Sequence, residues 1–186
     1  MNAIAAKYNR IAATGGWQSL CDDSVRFAHP ELCRLLGRWR KQAKAGAIPK
    51  YTDMTPRLLK PFLGDVVLYE HLAETGDRRW RVRLMGQSFA QIMGDLSGLF
   101  LDSAVPPEFL PRWNTALDCT LAYRAPLRFL GRMTTNGMGF LNGEYFSAPL
   151  LDGNGSATLV LAAGRFTGGR SWEDVEAEAR KTLALE

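Results

Sequence analysis

Histidine and cysteine side chains are the residues of this sequence that could bind a metal ion. His29 and Cys33 are four positions apart, which places two side chains on one face of a helix, and Cys21 precedes them. No second pair of close ligands completes the set, and His29 stands where a helix is expected to begin. The sequence therefore predicts no metal site.

Nucleophilic chemistry has little support. Cys119 falls within an expected helix without a recognisable base beside it, so a small core residue is the better interpretation. Ser156 lacks the glycine-flanked turn of a hydrolase nucleophile. Gly137, Gly139 and Gly143 do not have dinucleotide-binding spacing, and no helix follows them, so we predict a loose hairpin. We expect a protein that is not an enzyme, although a catalytic cluster assembled only by folding stays open.

Arg83 is the charged residue with the clearest functional interpretation. It lies in the middle of an expected strand, on the same face as Arg81 and Met85, where a buried guanidinium would need a carboxylate partner. That partner could belong to an acidic ligand. The alternative is a structural ion pair with a carboxylate such as Asp65, Glu70 or Asp95.

A second group of residues could wall a ligand pocket. Phe89 and Met93 are expected on a short helix, Trp113 and Leu117 on a longer one, and Arg128 on a later strand could add positive charge to the same sheet face. These apolar side chains could equally be plain core, and Arg128 could lie at a solvated edge. We name Arg83, Phe89, Met93, Trp113, Leu117 and Arg128 as the candidate ligand-binding residues.

The elements that must position these residues centre on the segment 79–98. From Arg79 to Met85 apolar and polar residues alternate as in a strand, and after Gly86 the spacing becomes helical up to Gly94. Other strands are expected over 64–70, 127–135, 140–151 and 156–166, with turns at 75–77, 136–137 and 152–155. Further helices are expected over 31–45, over 106–122, and after a capping box that begins at Ser171. This order predicts an α+β fold.

Composition limits the class of protein. Apolar residues make up 46% and charged residues 23% of the 186 residues, near globular averages, and the net charge is +4. The basic flank of the helix over 31–45 lacks interleaved exposed aromatics, so we expect no nucleic-acid partner. The apolar run over 159–163 is too short to cross a bilayer, so no membrane association is expected. Three widely spaced cysteines favour a reducing compartment, and we expect a cytoplasmic protein.

At this point the sequence resembles a PAS domain, and more closely a bacterial subfamily of single-domain PAS-like proteins. The likeness covers about residues 31–166 and rests on the order of several features rather than on one decisive motif. These are the helix ending in Trp39-Arg40, Ile48-Pro49, the strand from Gly64 to Tyr69, the run from Val82 to Gly86, and the pair Gly94 and Gly98.

The resemblance implies a five-stranded antiparallel sheet with the short helices and the helix over 106–122 on one face, often enclosing a small ligand. The amphipathic helix would cap the other face or pair two subunits through Leu32, Leu35, Leu36 and Trp39. We accordingly divide the chain into a flexible N-terminal extension (1–28), a PAS-like domain with its leading helix (29–168) and a C-terminal helix (169–186).

Departures from better-known PAS groups limit the cofactor. The helix over 106–122 has no histidine for a haem, and the segment from Gln87 to Gly94 has no cysteine for a covalently bound flavin. Haem and covalent flavin are therefore disfavoured, and the cofactor stays unknown.

The expected function is that of a non-enzymatic sensory module. It would bind a small ligand, a protein partner or both, form a homodimer, and report through its terminal helices to a separate signalling protein. The alternative is a purely structural interaction scaffold with a filled core and no ligand.

Overall fold

The protein folds around one antiparallel sheet. The computed structural model describes residues 2–72, 79–133, 137 and 139–184, so the turn expected at 75–77 and Asn136 lie outside the described residues. The helices are α1 (Ala3–Thr14), α2 (Pro30–Gln42), α3 (Pro56–Leu59), α4 (Gln87–Met93), α5 (Leu101–Ala104), α6 (Leu110–Tyr123) and α7 (Trp172–Ala184). The strands are β1 (Ser19–Asp22), β2 (Val66–Leu72), β3 (Arg79–Met85), β4 (Leu127–Arg132), β5 (Asn142–Leu151) and β6 (Ala157–Thr167).

The strand order across the sheet is β1-β4-β5-β6-β2-β3, and each neighbouring pair is antiparallel. The expected α+β class, with helices packed on an antiparallel sheet, is confirmed. The strand count differs from the expected five because β1 adds a sixth strand beside β4.

Helices α1, α4 and α6 cover one face of the sheet. Val67, Val82 and Val160 on that face pack with Phe89 of α4 and Leu117 of α6. Alternation along each strand determines which side chains meet these helices, because neighbouring residues of a strand point to opposite faces. This layer contains the candidate site.

Helix α2 caps the opposite face. Its apolar stripe, which consists of Leu32, Leu35, Leu36 and Trp39, is buried in the core formed with β5, β6 and β2. Trp39 Nε1 donates a hydrogen bond to the carbonyl of Pro149 at 3.0 Å, which fixes the helix on the sheet. Of the two roles expected for this stripe the structure therefore has the cap, and an interface between subunits would need another surface.

The N-terminal segment is not the loosely attached extension that we expected. Tyr8 and Ala5 of α1 are buried, as are Leu20 and Cys21 of β1. Asn2 caps α1 by accepting hydrogen bonds from the backbone of the first turn. The sequence signal of this segment is weak because α1 is rich in small alanines and β1 is too short to show alternation.

Helix α7 packs on the same face as α2, at the β1 end of the sheet. The Ser171 hydroxyl accepts a hydrogen bond from the backbone N–H of Asp174 at 3.1 Å, as expected for the predicted cap. Trp172 and Ala179 are buried against Leu20 and Leu130. Within the described part of the chain, no helix combines the length and the apolar character needed to span a bilayer.

Candidate functional site

A small cavity of about 110 Å³ lies between the sheet and helix α6. The strands beneath it contribute small residues, among them Gly131, Ser147 and Ala162, which leave space under the helix. Helices α1, α4 and α6 also contribute side chains to the wall of the cavity. Movement of any of these helices would therefore change the shape of the cavity.

Four of the predicted pocket residues meet at this cavity. Phe89 and Met93 of α4 and Trp113 and Leu117 of α6 all line it. They form its apolar wall, together with Tyr69 of β2.

Aromatic rings fill much of the neighbouring space. The Phe89 ring lies 6.4 Å from the Tyr145 ring and 5.6 Å from the Phe166 ring, measured between centroids. Gly164 allows this packing, because a Cβ atom there would lie 2.7 Å from Phe89 Cε2. Gly143 lies inside β5, within the strand expected over 140–151, and the Tyr145 hydroxyl lies over it where a Cβ would stand.

Polar groups gather at the side of the cavity nearest β1, β4 and β5. The Ser19 hydroxyl donates to the carbonyl of Leu130 at 3.0 Å, so the Tyr8 hydroxyl is the donor in its 2.7 Å bond to Ser19. Arg112 of α6 also lines the cavity, and its Nη1 donates to the carbonyl of Arg132 at 3.3 Å. The Arg112 guanidinium lies close enough to Tyr8 and to Tyr145 for its charge to favour a lower pKa of both hydroxyls.

Burial further favours the protonated form of the tyrosines that line the cavity. Desolvation raises the pKa of Tyr145 to about 12, while the nearby Arg112 charge acts in the opposite direction. Burial also raises the pKa of Tyr8 and of Tyr69. At neutral pH these hydroxyls are hydrogen-bond donors, not phenolates.

Arg83, the predicted ligand anchor, does not line the cavity. It lies on the opposite face of the sheet, where its Nη1 is 3.3 Å from Glu70 Oε1, and its guanidinium lies 5.2 Å from the Tyr51 ring centroid. Its side chain is 37% exposed. The structure therefore has the ion pair that the sequence left as the alternative, and one of the three predicted carboxylates provides it.

Arg128, the second predicted cation, is also absent from the cavity wall. Its Nε lies 2.6 Å from Glu144 Oε1 and its Nη1 lies 3.0 Å from Asp22 Oδ2. All three side chains are buried or nearly so. Alternation placed Arg128 correctly in a strand. The pairing of β4 with β1 and β5 brings Asp22 and Glu144 next to it, and both acids form ion pairs with its guanidinium.

Among the cavity-lining residues that sequence inspection missed are Tyr8, Arg112 and Tyr145. Tyr8 was not predicted because residues 1–28 were expected to be a flexible extension. A signal was available for this face of the sheet, since Gly131, Gly143 and Gly164 interrupt strands that otherwise carry large residues. Gly131 lines the cavity, and the other two leave room for aromatic rings beside it.

The two buried thiols, Cys21 and Cys119, are poor candidates for nucleophiles. Burial raises the pKa of Cys21 and of Cys119, which disfavours the nucleophilic thiolate. In the ranges that the structure describes, no three His, Cys, Asp or Glu residues are grouped as ligands of a metal ion.

Comparison with known proteins gives distant likenesses only. No protein-family model matches the chain, and no curated protein matches it. An RNA-binding light-oxygen-voltage receptor is 17% identical with a TM-score of 0.42, and the match covers 76% of this chain and 40% of that one. The chain thus spans less than half the length of that receptor.

Two further solved structures are similar to a comparable degree. The light-state structure of the blue-light photoreceptor Aureochrome1 LOV is 15% identical with a TM-score of 0.42, covering 67% of this chain and 97% of that chain. A sensory box histidine kinase/response regulator from Burkholderia thailandensis E264 is 18% identical with a TM-score of 0.39, covering 70% and 98%. These likenesses are distant, and the strand pairings given above define the fold.

Proposed function

We propose that this protein is a non-enzymatic, PAS-like sensory module that binds a small ligand in the cavity beneath α6. The observation that carries the proposal is the cavity itself, an apolar space with a polar side, walled by three helices on a rigid sheet. A ligand that binds one packing of these helices better than another shifts the population toward that packing.

Helices α6 and α1 are the elements that would transmit occupancy. Trp113 and Leu117 of α6 contact the cavity directly, and Tyr8 of α1 closes its other side. Cys119 and Ala116 of α6 also pack with α1. A change in the tilt of α6 would therefore reach α1, whose outer surface could be recognised by a separate signalling protein.

Self-association and cytoplasmic location belong to the same proposal. A homodimer would use a surface other than the stripe of α2, since that stripe is buried on its own sheet. The three cysteines are free thiols, which supports a reducing compartment.

A structural scaffold without a ligand is the second candidate, and the size of the cavity favours it. Pockets for drug-sized ligands have volumes of about 300–1,000 Å³, against about 110 Å³ here. In that case the same face would serve only to hold α1 and α6 in place for a protein partner.

A ligand screen on a cavity-filling variant distinguishes the two candidates. Thermal unfolding is measured with a library of small metabolites for the wild-type protein, for Ala162→Leu, which fills the cavity, and for Ala157→Leu on the same strand away from it. A sensory module gives compounds that raise the Tm of wild type and Ala157→Leu but not of Ala162→Leu. If no compound raises the Tm of the wild type and native mass spectrometry finds a strict monomer, the sensory proposal fails.

A further inference from the structure

The cavity is chemically asymmetric. Its wall near α4 is made of Phe89, Met93 and Leu117, whereas Arg112, Tyr145 and Tyr8 line it on the side of β1, β4 and β5. A ligand that fits both sides must carry an apolar body and one polar group. The chemistry of the polar side then decides which group that is.

Arg112 is a partly buried cation without an acidic partner in the described part of the chain. Its hydrogen bond goes to the carbonyl of Arg132, and none of the ion pairs of the described residues includes it. Arginines on the opposite sheet face differ, since Arg81, Arg128 and Arg165 each pair with a carboxylate. A guanidinium beside an apolar space gains most from an anion with two oxygen atoms, which it can bind in a bidentate manner.

Tyr145 provides a second donor that is weakly used. Its hydroxyl donates to the thioether sulfur of Met133 at 3.3 Å, and a thioether is a poor acceptor. Tyr8 differs because its hydroxyl donates to Ser19 at 2.7 Å, so it is already satisfied by a strong acceptor. An anionic oxygen near Arg112 would displace Met133 as the acceptor of the Tyr145 hydroxyl.

We propose that the cavity binds a small monocarboxylate, with its carboxylate held by Arg112 and Tyr145 and its apolar body packed against Phe89, Met93 and Leu117. This inference rests on the proposed ligand-binding function and names the class of ligand. The volume of about 110 Å³ limits the apolar body to a group smaller than a benzene ring, since it takes a cavity of about 150 Å³ to accommodate benzene.

The test compares acids with neutral molecules of the same shape. Isothermal titration calorimetry is carried out with propionate, isovalerate, propionamide and isovaleramide on the full chain. The proposal predicts that at least one acid binds about ten- to hundred-fold more tightly than its amide, because a hydrogen bond to a charged group contributes more than one to a neutral group.

Variants locate the binding group. Arg112→Gln and Tyr145→Phe are each expected to weaken binding of the acid about tenfold or more while binding of the amide changes little. Arg83→Gln removes the same charge from the opposite sheet face and is expected to leave acid binding unchanged. Circular dichroism confirms that each variant folds, and Tyr145→Phe keeps the aromatic packing even if Arg112→Gln does not fold.

The outcomes separate this inference from the proposed function. If the amides bind as tightly as the acids, or if only unrelated neutral compounds of the metabolite library bind, the cavity is a ligand site but the carboxylate class is wrong. Equal weakening of acid binding by Arg83→Gln and Arg112→Gln also overturns the inference, because a general charge effect would explain it. If neither the probes nor any library compound binds, the proposed ligand-binding function fails as well.

Discussion

Arg128 and Glu144 form a short charge-assisted contact inside the protein, with Arg128 Nε donating to Glu144 Oε1 at 2.6 Å. The same carboxylate accepts hydrogen bonds from the backbone N–H groups of Ala28 and His29, at 2.9 Å and 3.0 Å. Asp22 of β1 is the second acid on Arg128. One cation therefore joins β1, β4, β5 and the start of α2.

Replacing Arg128 is expected to destabilise the fold strongly. Arg128→Met leaves Asp22 and Glu144 as buried acids without a cation, and such a loss costs about 3–5 kcal/mol. Urea unfolding followed by circular dichroism measures the change. Arg83→Met is the control, because its ion pair with Glu70 is partly exposed and such pairs contribute about 1 kcal/mol or less. Similar losses for the two variants would contradict the structural role of Arg128.

Removing the N-terminal segment is expected to cost stability. A chain beginning at Asp23 lacks α1 and β1, and with them the buried side chains of Tyr8 and Leu20. Each large apolar side chain that loses its burial costs about 1.5–3 kcal/mol. We expect a lower urea midpoint and a dye-binding apolar face.

Tyr8→Ala in the full chain is the matching variant for this segment. It removes one buried ring while α1 and β1 remain, and a loss of about 3–5 kcal/mol is expected. A truncated chain with the wild-type midpoint would instead restore the interpretation of residues 1–28 as a loose extension.

Two glycines of the cavity face are expected to differ in their tolerance of alanine. Gly164→Ala forces Phe89 and Tyr145 to move, since the new Cβ would lie 2.7 Å and 3.1 Å from their rings, and such overpacking costs about 1–3 kcal/mol. Gly131→Ala meets its nearest atom, Ser19 Oγ, at 3.5 Å and is expected to change stability by about 0.5 kcal/mol or less. Differential scanning calorimetry of both variants checks this, and equal Tm losses would contradict the packing of the rings.

Alkaline pH is expected to weaken the fold through its buried tyrosines. An unfolded tyrosine ionises near about pH 10, whereas burial raises the pKa of Tyr145 to about 12. Between these values the unfolded chain binds fewer protons than the folded chain, so stability falls as pH rises. The contribution of Tyr145 is complete below about pH 10 and is lost as pH rises through about 12.

Tyr145→Phe is expected to lose less stability than wild type between about pH 8 and about pH 11, by an amount on the order of 1 kcal/mol. Urea midpoints at the two pH values measure the difference. Tyr51→Phe is the control, because it removes the hydroxyl of an exposed tyrosine. Identical alkaline losses in wild type and Tyr145→Phe would show that Tyr145 is not buried as described.

The sequence alone determined the elements whose signals are local. Alternation from Arg79 to Met85 predicted β3 with its exact bounds, and the stripe from Leu32 to Trp39 predicted a helix that covers apolar surface. Helical spacing also predicted that Phe89 and Met93 share one face of a short helix and that Trp113 and Leu117 share one face of a longer helix, while it left open whether these faces form core or line a pocket.

Only the tertiary structure decided which charged residues could meet a ligand. Arg83 forms an ion pair with Glu70, and Arg128 forms ion pairs with Glu144 and Asp22. Arg112, in contrast, lines the cavity. Spacing along a strand shows which side chains share a face, but the pairing of strands decides which face is covered and which acids lie opposite. The Ser19 hydroxyl bonds to the carbonyl of Leu130, 111 positions away, and contacts of that range have no signature in a local pattern.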